Sequence, residues 1–223
     1  GRVYPYGSRE ARVRAFAVEI SPPAGVVTEY FIRVESKNSL SVPISIKTKD
    51  ELISRDRHER FVLGMYYGVI LVMILYNLFI FFTVRDVNYL YYVCTLVFAH
   101  LLFHLGINGL FYDVTGSDAL WLSRDSIALF FSLGMFFFML FSKEFLRIKQ
   151  YSRMFNMFFI ALMCGAAIEA AISIFADYYY AIRSAVVMGQ VSAFFTWFAG
   201  FYVLVKGNRT ARFYILAWSA MIA

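Results

Sequence analysis

Proline is almost missing from this chain: all four residues lie at or before Pro43. Whatever helices follow contain no ring to break their hydrogen-bond ladder. Cysteine is equally scarce. Cys94 and Cys164 both fall inside apolar stretches, which excludes a disulfide framework and leaves two small thiols expected to be buried. No CxxC, nucleophile elbow, phosphate-cradling glycine loop or zincin motif occurs, so the familiar hydrolase, nucleotide and redox signatures are absent. Charge is also short, at 16% of residues with 61% hydrophobic, where a soluble domain has about a quarter charged. That balance points to a polytopic membrane protein. The formal charge of +6 does not indicate nucleic acid as a partner. Its basic residues sit in the N-terminal quarter and in short loops, with no recognition helix or basic-aromatic strand.

What the sequence does have is long oily runs. GMYYGVILVMILYNLFIFF (64–82) carries no charge and directly follows the charged block DELISRDRHER (50–60). Five runs reach the roughly 20 residues that a bilayer core demands of a helix. They are 61–83, 89–111, about 119–146, 154–176 and 182–205, and a sixth begins at Phe213 without room to cross. With no later proline, each reads as an unbroken helix. Asp118 or Ser117 is a plausible cap for the third, and Trp121 falls at interface depth. Arg85, Lys143, Arg147, Lys149, Arg153, Lys206, Arg209 and Arg212 share one side, against Arg124 and Arg183 on the other. The positive-inside rule places the first group in the cytoplasm and the N-terminal segment outside. Tyrosines near the span ends (Tyr66, Tyr67, Tyr89 to Tyr92, Tyr178 to Tyr180) read as an aromatic belt.

Residues 1–47 alternate apolar and polar side chains between turn signals, as in Phe16/Val18/Ile20, Tyr30/Ile32/Val34 and Val42/Ile44/Ile46. The expectation is antiparallel β-structure, the last strands of an extracytoplasmic sandwich. So short a segment buries too little surface to stand alone. No secretory leader opens the chain, and Gly1 reads as starting inside a longer protein. Residues 48–60 then read as a charged helical connector. Thr48 and Glu51 form a capping-box pattern, and Glu51/Arg55 and Asp56/Arg60 are spaced to pair. Residues 61–223 form the transmembrane bundle.

Several short motifs occur in order along this bundle: GMYYG (Gly64, Tyr66, Tyr67, Gly68), Tyr76-Asn77, RDVNYLYY (Arg85, Asp86, Tyr89, Tyr92) and NGL around Gly109. With the preceding EYFIRVESKNSLSVPISI, they resemble the bacterial 7TM receptors with diverse intracellular signalling modules. The resemblance implies a seven-helix region in the bacterial inner membrane, fed by an external jelly roll similar to carbohydrate-binding modules. It also implies a kinase, cyclase or phosphatase output in the cytoplasm, belonging to the same full-length chain. That family shares no catalytic residues within its membrane region, so the chain itself is expected not to be an enzyme and to need no cofactor. Expected partners are membrane lipid, an extracytoplasmic ligand (a carbohydrate by that analogy), the output module and, as a candidate, a second copy in a homodimer.

The polar residues within the spans are few. His100, His104 and Asn108 recur every four residues along the second span, one stripe on an apolar helix. Two imidazoles at this spacing can share a metal, but the third histidine, His58, lies outside the membrane and no ligand set closes. In the fourth span Gly165, Glu169 and Ser173 share a face among alanines, a surface for close helix approach. An ionisable residue at that depth suggests function. His104 and Glu169 both lie about fifteen residues from the basic ends, roughly 22 Å up. The expectation is that they meet, with Gln190 as a third member. Asn77 is expected to bond another helix, and Glu144 to reach Lys143. A transporter or channel using His100, His104 and Glu169 as a polar path is the competing function, to which the lack of helix-breaking proline is unfavourable.

Overall fold

The computed structural model describes residues 17–33, 44–108, 110–111 and 126–222. From Lys49 onward these are helices joined by short turns. Helix α1 runs Lys49–Val84 as one 36-residue helix, so the charged connector and the first span are continuous. Its start is capped as the sequence implies, with Thr48 Oγ1 accepting from the Glu51 amide at 3.3 Å. The Asp56–Arg60 pair forms at 2.7 Å. The expected Glu51–Arg55 pair does not. Arg55 turns instead to Glu59 at 2.9 Å, and Glu51 lies 3.6 Å from Lys47, because each residue has a competing partner one turn away.

Arg85 ends α1 in the left-handed conformation, φ 61°, its amide bonded to the Phe81 carbonyl. Asp86 then caps α2 (Val87–Ile107) through the Asn88 amide at 2.9 Å. A two-residue turn thus makes α1 and α2 an antiparallel hairpin. Helix α2 departs from the unbroken α-helix expected of it: residues Leu96–Leu102 are wound as π-helix. Proline is not the only way to distort a helix, and here the cause is packing, described below.

Helices α3 (Ser126–Phe145), α4 (Arg153–Phe175), α5 (Tyr178–Val205) and α6 (Ala211–Ile222) complete the described bundle, with a short helical turn at Ile148–Tyr151. Ser152 and Asp177 cap α4 and α5. The proposed caps and Trp121 at the start of the third span lie outside the described residues. Helix α3 is central, packing on α2 on one side and on α4 and α5 on the other; α6 packs on α5.

Packing divides the bundle in two. Met139, Leu146, Ile148, Phe155, Phe159, Val203 and Tyr214 form one core at the basic end, tying α3 to α6 together. Asn208 donates to the Leu146 carbonyl, and Tyr214 Oη to Ser142 Oγ at 2.9 Å, within that end. Ile70, Ile74, Val93 and Leu96 form a smaller core between α1 and α2. Size, not polarity, separates inside from outside. The buried line of α5 is Ala181, Ala185, Gly189, Ser192, Thr196, Ala199 and Val203, while Phe194, Phe198 and Phe201 face outward. Lipid is as apolar as the side chains, so close backbone approach decides which face turns inward.

Among the described residues before Lys49 no strand forms. Ala24-Gly25 turns as the sequence suggests, but Val27, Phe31 and Ile46 are exposed; an extended segment without a neighbour has no ladder to join. Phe16, Val34 and Val42 fall outside the described residues. Two smaller expectations also change. Cys164 is exposed on the outward surface of α4 rather than buried. Asn77 is buried but donates to the Met73 carbonyl of its own helix at 2.7 Å. Glu144 does reach Lys143, at 3.3 Å.

Candidate functional site

The α1–α2 hairpin brings Tyr66 and Tyr67 against the histidine stripe. Their rings meet edge to face, 5.3 Å apart. The His100 and His104 rings stack, with centroids 6.0 Å and planes 5° apart, and the Tyr66 ring lies 5.4 Å from that of His104. The Tyr66 hydroxyl is 3.4 Å from His100 Nδ1 and donates to the His100 carbonyl at 3.5 Å. One helical turn further, Asn108 Nδ2 donates to Tyr67 Oη at 3.3 Å and to the His104 carbonyl at 2.9 Å. His104 Nδ1 lies 3.2 Å from the Ala99 carbonyl, so it carries the proton there. The result is a polar seam between two otherwise apolar helices.

The seam coincides with the π-wound turn. The Phe103 amide reaches five residues back, to Phe98. Behind the turn stands Gly134 of α3. A Cβ at that position would lie 2.6 Å from Ala99 Cβ and 2.8 Å from its Cα and N, far inside the 3.5–4.0 Å of ordinary carbon contact. Only glycine leaves space for the widened backbone.

Glu169 belongs elsewhere. Its carboxylate accepts from Ser184 Oγ of α5 at 2.6 Å, and the two line an open groove of about 580 Å³ with Arg183, Val187, Met188 and Val191. Arg183 donates to Tyr179 Oη at 2.9 Å. The expected His104–Glu169 meeting therefore does not occur. Equal distance from the basic ends says nothing of rotation about the helix, and α3 stands between α2 and the α4–α5 pair. Gln190 is exposed, six positions beyond Ser184 and so roughly 9 Å further along α5. Gly165 packs against Met188, and Ser173 bonds the Ala170 carbonyl at 2.8 Å. Among the described residues no three histidine, cysteine or acidic side chains cluster to hold a metal.

The remaining motif positions divide between turn and surface. Arg85 and Asp86 build the hairpin turn. Tyr92 packs on Phe141 of α3, 5.3 Å between rings; Tyr89 is half-buried and Tyr76 is exposed. Gly64 and Gly68 sit on an open face of α1 where an added Cβ meets nothing. Gly109 lies outside the described residues. What the sequence reading missed was the pairing of Tyr66 and Tyr67 with the histidines. The available signal was distance from the turn: Tyr66 and His104 are nearly equidistant along the chain from Arg85-Asp86, which places them side by side in a hairpin.

Five helices long and apolar enough to span a bilayer, with large apolar side chains turned outward, define a multi-pass membrane protein. Residues 59–223 match the family model described as 7TM diverse intracellular signalling. The chain belongs to that family, whose members are receptor domains of signal transduction and not a known class of enzyme. Neither the curated proteins nor the solved structures yield a match.

Proposed function

We propose that this chain is the membrane relay of a receptor. A β-sandwich outside, to which residues 1–47 contribute, binds a ligand; the helices pass its occupancy to an output module in the cytoplasm. The observation that carries this reading is the continuity of α1. One uninterrupted helix leads from the polar connector at Lys49 through the bundle to the turn at Arg85, and it meets α2 at a polar seam on the way. A ligand that favours one placement of the outer domain then shifts the population of bundle arrangements by its differential affinity. The carbohydrate nature of the ligand and the inner-membrane location rest on the family's extracellular domain and on the basic loops. A transport path is less well supported, because its candidate residues are separated, His100 and His104 in the α1–α2 seam and Glu169 in the α4–α5 groove.

Sidedness tests the proposal. In intact cells Lys47→Cys should react with a membrane-impermeant maleimide, whereas Lys149→Cys and Arg209→Cys should react only after permeabilisation. Reaction of all three from the same side would overturn the relay.

A further inference from the structure

A π-wound turn persists where its surroundings hold it, and such turns concentrate at functional sites. Here three groups from three helices converge on Ala99 and His100. Gly134 of α3 leaves room for the widened backbone. His104 of α2 itself donates to the Ala99 carbonyl at 3.2 Å. Tyr66 of α1 donates to the next carbonyl, that of His100. Carbonyls in a widened turn are poorly aligned with amides of the ladder, so side-chain donors stabilise the turn directly. The Tyr66 contact is the weakest of the three. At 3.5 Å it exceeds the 2.5–3.0 Å usual for a hydroxyl donor to oxygen, whereas Ser184–Glu169 and Tyr214–Ser142 close at 2.6 and 2.9 Å. It also comes from the helix that packs on α2 outside the large core.

We propose that Leu96–Leu102 is a two-state element, π-wound while Tyr66 is seated on His100 and α-helical when α1 withdraws. Closing the turn rotates the half of α2 nearer the basic end, Val87–Thr95, by the angle of one α-helical residue, about 100°. That half carries Val93 against α1 and Tyr92 against Phe141 of α3, so the rotation exchanges the contacts α2 makes at the basic end. The position of α1 thereby sets the rotation of α2. This device rests on the relay reading, in which α1 is the moving input.

The test uses the full chain in lipid nanodiscs with Cys94 and Cys164 replaced by alanine, and spin labels at Val87→Cys and Val205→Cys. Both positions are exposed. At a side-chain radius of about 5–6 Å, a rotation of about 100° moves the label by up to about 9 Å. Wild type should give one electron–electron distance. Deletion of Phe98 removes the extra residue, so the turn closes with both flanks keeping their orientation and the wild-type distance should remain alone. Tyr66→Phe should add a shifted distance as a second population; Tyr67→Phe should not, nor should Tyr66→Phe made on the Phe98 deletion. A Tyr66→Phe distribution identical to wild type overturns the proposal, as does a shifted population that persists when Phe98 is deleted. Should the deletion variant fail to fold, the contrast between the two tyrosine variants decides alone. No ligand or output module enters the measurement, so its failure leaves the sidedness test of the relay untouched.

Discussion

Gly134→Ala places a methyl group against Ala99, and its effect can be worked out from the contact. The new Cβ would lie 2.6 Å from Ala99 Cβ and 2.8 Å from the backbone, about 1 Å closer than carbon atoms tolerate. The near neighbours are backbone, which cannot swing away, so α2 and α3 must part or bend. Overpacking of this kind costs about 1–3 kcal/mol. Alanine also raises helix propensity over glycine by up to about 1 kcal/mol, which would blur a single measurement. Gly68→Ala supplies the correction, since that glycine is in a helix and an added Cβ meets nothing within 4 Å. The propensity gain cancels between the two variants. Gly134→Ala should therefore be less stable than Gly68→Ala by about 1–3 kcal/mol, read from reversible unfolding of the purified chain in mixed micelles. Equal stabilities would refute the close approach of α3 to the widened turn.

Phe159→Ala, at a side chain with no exposed surface, should destabilise by about 3 kcal/mol. This is the low end of the range for aromatic deletions, because lipid rather than water is the alternative surrounding. Phe158→Ala, at an outward-facing neighbour, should change stability little in the same unfolding assay. Ser184→Ala removes the 2.6 Å donor to Glu169 and should cost about 1 kcal/mol, as membrane-embedded hydrogen bonds do. If the cost matches that of Ser184→Ala made on a Glu169→Ala background, which has no side-chain acceptor, the two side chains are not coupled and the pair has been misread.

Position along each helix was legible in the sequence; rotation about it was not. Run length marked the apolar part of each described helix to within a few residues, the start of the third span lying outside the described residues, and the cap residues Thr48, Asp86 and Asp177 stand where polar side chains interrupt apolar runs. Facing direction escaped because both faces of each span are apolar, so polarity does not mark the interior. For α5 the signal was side-chain size: Ala181, Ala185, Gly189, Ser192, Thr196 and Ala199 recur every three or four residues, a seam visible once small is read as inward. The π-wound turn has no local mark at all, since the glycine that accommodates it lies on another helix. Likewise the polar stripe on α2 is visible in the sequence, but its partners had to be chosen among helices whose order in the bundle no spacing reveals.

In the proposed relay, the left-handed turn at Arg85 would also act as a fulcrum. About 54 Å of helix separates it from Lys49, and about 28 Å from Tyr66. A sideways push on the outer tip therefore reaches the tyrosine at roughly half its amplitude. Starting from 3.5 Å, a tip movement of about 2 Å would open the Tyr66 contact by about 1 Å, beyond hydrogen-bonding range. In the relay proposed above, a shift of little more than a carbon–carbon bond length at the Lys49 end would be enough to unlatch the helix below it.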